Sequence, residues 1–120
     1  MIKKTFSDLK IGDEIYFVNF CVNGVPKLES EKICEITHKV KTSTIKLNER
    51  VFRKVNSKET THISLNYIGG IGCFMSPNKN EVIRKYKSYL ENSIKDYKNE
   101  IKKIQGHIEE YEEQLNKIDN

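Results

Sequence analysis

The chain has no tryptophan, two prolines, six glycines and three arginines among its 120 residues. It has no run of 18 apolar residues, so no segment is expected to cross a membrane. The start, Met1 to Asp8 (MIKKTFSD), is basic but lacks an apolar core, which argues against a secretory leader. Cysteine is scarce and odd in number, with Cys21, Cys34 and Cys73 forming no CxxC pair, as expected of free thiols in a reducing cytoplasm. Mean hydropathy is −0.64 and only 37% of residues are hydrophobic, which leaves too little apolar matter for one large core. β-Branched and aromatic residues are nevertheless too frequent for a disordered chain. A small core joined to an element polar over most of its surface satisfies both facts.

Charge divides the chain in the same way. Residues 1–75 hold 12 Lys and Arg against 8 Asp and Glu, and residues 76–120 hold 9 of each. Within the first part, Lys39, Lys41, Lys46, Arg50, Arg53, Lys54 and Lys58 are opposed only by Glu49.

Residues 1–75 alternate with period two, the mark of strands. Glu14 to Val22 (EIYFVNFCV) is apolar on both faces and reads as a strand buried on both sides. Asn23-Gly24 reads as a type I′ hairpin turn, with Pro26 at the mouth of the return strand. That return strand is expected to run from Lys32 to Lys41, with Cys34, Ile36, His38 and Val40 on one face. Ile45 and Leu47, then Val51, Arg53 and Val55, then Thr61, Ile63, Leu65 and Tyr67 continue the alternation, and Cys73-Phe74-Met75 closes it. Five or six short strands in so short a span predict a small antiparallel barrel, because closure removes exposed edges.

The opening Phe6-Ser7-Asp8-Leu9-Lys10-Ile11-Gly12-Asp13-Glu14-Ile15-Tyr16 resembles the start of SH3-like and KOW-like barrels, in which a Gly-Asp turn leads into the first strand. The chain is also similar to small β-barrel accessory proteins of phages, prophages and low-GC Gram-positive bacteria, where an aromatic strand runs straight into a helix, as Cys73 to Asn80 does here. The resemblance spans about residues 6–90. It implies a binding module and carries no catalytic residue.

Residues 76–120 read as a single helix. Ser76 or Asn78 can cap it, and Glu81 complements its dipole. From Leu90 the apolar positions Ile94, Tyr97, Ile101, Ile104, Ile108, Tyr111, Leu115 and Ile118 follow at alternating spacings of four and three, a heptad seam with Ile94, Ile101, Ile108 and Leu115 at a. Gly106 falls at f and the seam keeps phase across it, so one continuous helix is expected and not a hairpin. Some 38 residues make about 57 Å of helix. A 75-residue barrel, with a radius of gyration near 11 Å, cannot cover that seam. A homo-oligomer follows, with a dimer favoured over higher states. The expected fold class is therefore α+β: an SH3-like barrel over 1–75, then a coiled-coil oligomerisation helix over 76–120.

Sites of chemistry are few. Cys34 and His38 lie about 13 Å apart on a strand, too far to share a metal, and read as a buried thiol and a sheet-facing imidazole. Gly69-Gly70-Ile71-Gly72 lacks the GK[ST] ending of a phosphate loop. Glu109-Glu110 and Glu112-Glu113 read as a solvated helix face. No constellation supports catalysis, and no metal or cofactor is implied.

The basic segment is the one stretch that points to a ligand. Lys39, Lys41, Lys46, Arg50, Phe52, Arg53 and Lys54 are the candidate binding residues, with Arg suited to bidentate contact with phosphate or carboxylate. Arg53 shares parity with Val51 and Val55, which places it within a groove.

Two functions fit. The first is a non-enzymatic, oligomeric binding protein of the phage accessory kind that engages a host protein, such as an enzyme or a defence complex, and inhibits it. The second is a KOW-like binder of DNA or RNA whose phosphate contacts come from residues 39–58. A variant of these captures a small anionic nucleotide ligand at a subunit crevice through Arg50, Arg53 or Arg84.

Overall fold

The structure, a computed structural model, describes residues 3–48, 51–65 and 72–119, with the backbone alone described at Val51, Phe52 and Leu65. Seven strands among these residues precede one helix: β1 (Glu14–Asn19), β2 (Leu28–Lys32), β3 (Glu35–His38), β4 (Ser43–Asn48), β5 (Val51–Val55), β6 (Ile63–Leu65), β7 (Cys73–Ser76) and α1 (Lys79–Asp119). The chain divides into two compact units, residues 1–86 and 87–120, so the first two turns of α1 belong with the strands.

All pairings are antiparallel, but the strands form two open sheets and not the closed barrel expected. One sheet has the order β2-β1-β7-β6 and the other β3-β4-β5. The reason lies at Ile33-Cys34. The strand anticipated from Lys32 to Lys41 forms only as β3, Glu35–His38; the strand that returns along β1 is the earlier β2, Leu28–Lys32, and the chain changes sheet between them. Ile33 N–H bonds Asp13 O on one side, while Cys34 N–H bonds Lys46 O on the other. Alternation survives the change of sheet, so it hides the break.

The core lies between the sheets. Ile15 and Met75 from the first meet Ile45, Leu47 and Val55 from the second, with Phe6, Leu9 and Ile33 completing the cluster. Phe6 sits on a 3-10 turn (Phe6–Asp8) whose amides reach across to the chain after β5: Phe6 N–H to Thr60 O and Ser7 N–H to Lys58 O. The Gly-Asp turn into β1 forms as expected. Gly12 takes φ +93°, which a side chain would strain, and Asp13 accepts from Lys10 N–H at 3.1 Å.

β1 is central and buries both faces. Ile15 faces the other sheet, while Val18 packs with Phe74 and Val82 on the first turn of α1. The β1–β2 connection is not a two-residue type I′ turn. Val18 pairs with Leu28, so the loop is long, and Gly24 has positive φ while Asn23 does not.

Buried Ser76 and Asn78 organise the start of α1. Ser76 Oγ donates to Thr61 O at 2.6 Å and accepts from Asn78 N–H at 2.9 Å. Asn78 stands at the N-cap but uses its side chain on Lys4. Its Oδ1 accepts from Lys4 N–H at 2.8 Å and its Nδ2 donates to Lys4 O at 2.7 Å. Tyr86 ends the unit by donating its hydroxyl to Pro26 O at 2.6 Å.

In the second unit α1 continues without a break through Gly106 to Asp119. None of its described residues is buried. No described helix is long and apolar enough to cross a membrane.

Candidate functional site

Strand register decides where the basic segment points. β4 buries alternate residues, Ser43, Ile45 and Leu47, so Thr44 and Lys46 lie on its outer face. Thr44 pairs with Lys54, which puts Lys54 on the outer face too. Arg53 pairs with Ile45 and faces inward, toward the first sheet. Two of the candidates, Arg53 and Lys54, are neighbours in sequence and therefore point to opposite faces.

Of the remaining candidates, Lys46 shares the outer face with Lys54, on the adjacent strand. Lys39 and Lys41 are exposed in the β3–β4 connection, where Lys39 N–H bonds Thr42 O. Lys46 lies 3.8 Å from Glu35, its cross-strand neighbour, so part of its charge is already matched. Phe52 pairs with Lys46 in backbone register, and its side chain is outside the described residues. Arg50 also falls outside them.

Arg53 enters a cleft of about 170 Å³ at the open end between the sheets. Cross-strand pairing builds the facing wall. Phe17 pairs with both Glu29 and Met75, and Asn19 pairs with Cys73, so these five side chains share one face. Glu31, opposite Ile15, extends the wall, and Leu47 and Asn48 supply the side beside Arg53. Arg53 Nε is buried and has no hydrogen-bond partner among the described residues. A buried donor left unmade costs about 1–3 kcal/mol, so this position works against stability. Burial pushes the Cys73 thiol above its ordinary value, opposed by the Arg53 guanidinium and reinforced by Glu29 and Cys21.

Sequence patterning placed Arg53 in a groove and missed its facing carboxylates. Leu28 to Lys32 (LESEK) has no apolar periodicity, so only its pairing with Phe17 and Ile15 shows that Glu29 and Glu31 face inward.

The cysteines and histidines have local roles. His38 is exposed, yet its ring bridges Ser43 Oγ at 2.7 Å and Leu9 O at 2.8 Å, tying the segment before β1 to the second sheet. Cys34 is exposed and not buried as anticipated; its thiol donates to Leu47 O at 3.3 Å. His62 Nδ1 lies 2.7 Å from Glu81, and its ring stacks on Phe74 at 5.1 Å. Among the described residues, no three His, Cys, Asp or Glu side chains cluster as a metal would require.

The second unit carries its own surface. Ile94, Tyr97, Ile101, Ile104, Ile108, Tyr111, Leu115 and Ile118 are 50–80% exposed, while Leu90 is half-buried. No family model, curated protein or solved structure matches the chain.

Proposed function

We propose that this chain is a non-enzymatic binding protein that pairs through its helix and so presents its β unit in more than one copy. The observation that carries this reading is the exposed seam, eight large apolar side chains at heptad spacing on residues 94–118. Singly exposed apolar residues need no explanation, but a contiguous stripe of this length marks an interaction surface.

A second copy of the same helix is the occupant the sequence favours. Residues 87–103 hold five Lys against three acidic residues, and residues 104–119 hold one Lys against five. Antiparallel pairing sets the basic half of one copy on the acidic half of the other. In the register that layers Ile101 on Tyr111 of the partner subunit, Lys98 flanks the seam beside Glu112 of the partner subunit. The e and g positions then hold no like-charge pair near the centre.

The β unit does the binding in this reading. A phosphate-tracking surface on residues 39–58 is disfavoured, because Arg53 faces away from the outer-face pair Lys46 and Lys54 and Glu35 accompanies Lys46. A nucleic-acid groove needs its cations along one track. Light scattering on the intact chain at tens of micromolar tests the assembly. The expected mass is twice 14.1 kDa. A mass of one chain up to high micromolar concentration would defeat the proposal.

A further inference from the structure

We infer that the cleft between the sheets is a binding site for a small zwitterion, an α-amino acid with an apolar side chain, held by Arg53 at its carboxylate and by Glu29 and Glu31 at its ammonium group. The inference deepens the reading of the β unit as the binding half, and it is independent of whether the helix pairs.

The argument begins with an unsatisfied donor. Arg53 Nε is buried without a partner among the described residues, and the Arg53 residue lines the cleft. Buried polar groups are normally paired, and a guanidinium is the donor best matched to a planar carboxylate or to a phosphate. The facing wall selects between the two. Glu29 and Glu31 sit on the strand opposite, turned inward by their pairing with Phe17 and Ile15. Two carboxylates and one guanidinium sum to negative charge. A phosphate carrying two charges would meet repulsion from that wall as it reached Arg53, whereas a ligand with a cationic end beside its anionic end meets attraction at both. Arg53 and Glu31 are half-buried, which strengthens their contacts over the value in water, while the exposed Glu29 adds less.

Size and lining set the rest. About 170 Å³ is below the roughly 300–1,000 Å³ of sites for drug-sized ligands, so the occupant has few atoms. Phe17, Leu47 and Met75 give the cleft an apolar side, which suits an aliphatic group branching from the carbon that carries the two charges. Asn19 and Asn48 also line the cleft, where amides can orient a carboxylate or an ammonium.

Titration of the isotopically labelled full chain with three matched probes tests this by amide chemical shifts. L-Leucine carries both charges, isopentylamine lacks the carboxylate, and 4-methylpentanoate lacks the ammonium. L-Leucine is expected to shift the amides of Asn19, Glu29, Arg53 and Cys73 at low millimolar concentration or below, with each half-ligand at least tenfold weaker. Arg53→Gln is expected to abolish the response. Glu29→Gln, at an exposed position on an edge strand, is expected to weaken leucine at least fivefold while narrowing the gap to 4-methylpentanoate. This second variant carries the test should Arg53→Gln fail to fold.

Silence up to 20 mM leucine overturns the inference, as do equal responses to the three probes or leucine binding that survives both substitutions. Inorganic phosphate binding more tightly than leucine also overturns it, in favour of an anion site. A monomer that binds leucine would refute the helix pairing alone, and an oligomer blind to leucine would refute the cleft alone.

Discussion

Replacement of Gly106 by Ala tests both the continuity of α1 and its coupling to assembly. Gly106 lies at an f position, away from the seam, in ordinary helical backbone, and a Cβ built there meets nothing within 4 Å. Alanine therefore adds no clash and removes the conformational freedom that glycine loses on folding, about 1 kcal/mol in a helix interior. Where two helices fold as they pair, the gain counts twice, about 2 kcal/mol per dimer. At 1.4 kcal/mol per tenfold, that tightens dimer dissociation about 30-fold. Sedimentation equilibrium across a dilution series reads the dissociation constant, and far-ultraviolet circular dichroism against temperature reads the helix. A higher helix melting temperature and tighter association are expected. A weaker dimer, or a drop in helical signal, would mean that glycine is needed for a turn at this point, and the continuous helix would be refuted.

Ile101→Asp places a charge in the middle of the seam and removes the burial of one isoleucine, about 2–3 kcal/mol per helix. Light scattering is expected to return the single-chain mass, with the amide spectrum of the β unit unchanged. His38→Ala deletes two hydrogen bonds, to Ser43 and to Leu9 O, for about 2 kcal/mol together and a fall in Tm of roughly 8–16 °C by calorimetry. Thiol labelling with a chromogenic disulfide at pH 8 is expected to modify Cys21 and Cys34 promptly and Cys73 only on unfolding, because the first two are exposed and burial holds the third protonated. The same shift has a consequence for stability. The folded Cys73 thiol ionises above its ordinary value of 9.0, so its contribution is complete below pH 9 and is lost as the pH rises through the folded pKa. Chemical denaturation at pH 7, 9 and 10.5 should show that decline, and Cys73→Ala should flatten it.

The helix was legible because heptad spacing is a property of one segment and needs no partner to be recognised. The strands other than β2 were legible as strands but not as sheets. Alternation continues smoothly through Ile33 and Cys34, although one bonds Asp13 and the other Lys46, since period two reports faces and says nothing of neighbours. Parity placed Arg53 inward correctly, because Val55 two residues on is buried. The same parity separates Arg53 from Lys54, and a count of charge over residues 39–58 could not register that division. Glu29 and Glu31 escaped notice because charged residues turned inward on an edge strand look like surface in a linear reading. The Asn78 bracket on Lys4 joins positions 74 residues apart, beyond the reach of any local pattern.

The place of β7 in its sheet has a consequence for how the protein is made. It lies between β1 and β6, yet it is the last of the described strands to be synthesised, and its partner in β1 was built 56 residues earlier, as Val18 and Phe74 show. Until Cys73 to Ser76 leave the ribosome, β1 has one ladder unfilled, and Val18 waits for both Phe74 and Val82. Non-local pairing of this kind is slow, because the chain between must be ordered before the contact is rewarded. The nascent β1 edge therefore stays unpaired on that side until β7 emerges. Residues 87–119 follow it out, so every strand of the described fold precedes the helical unit in the order of synthesis.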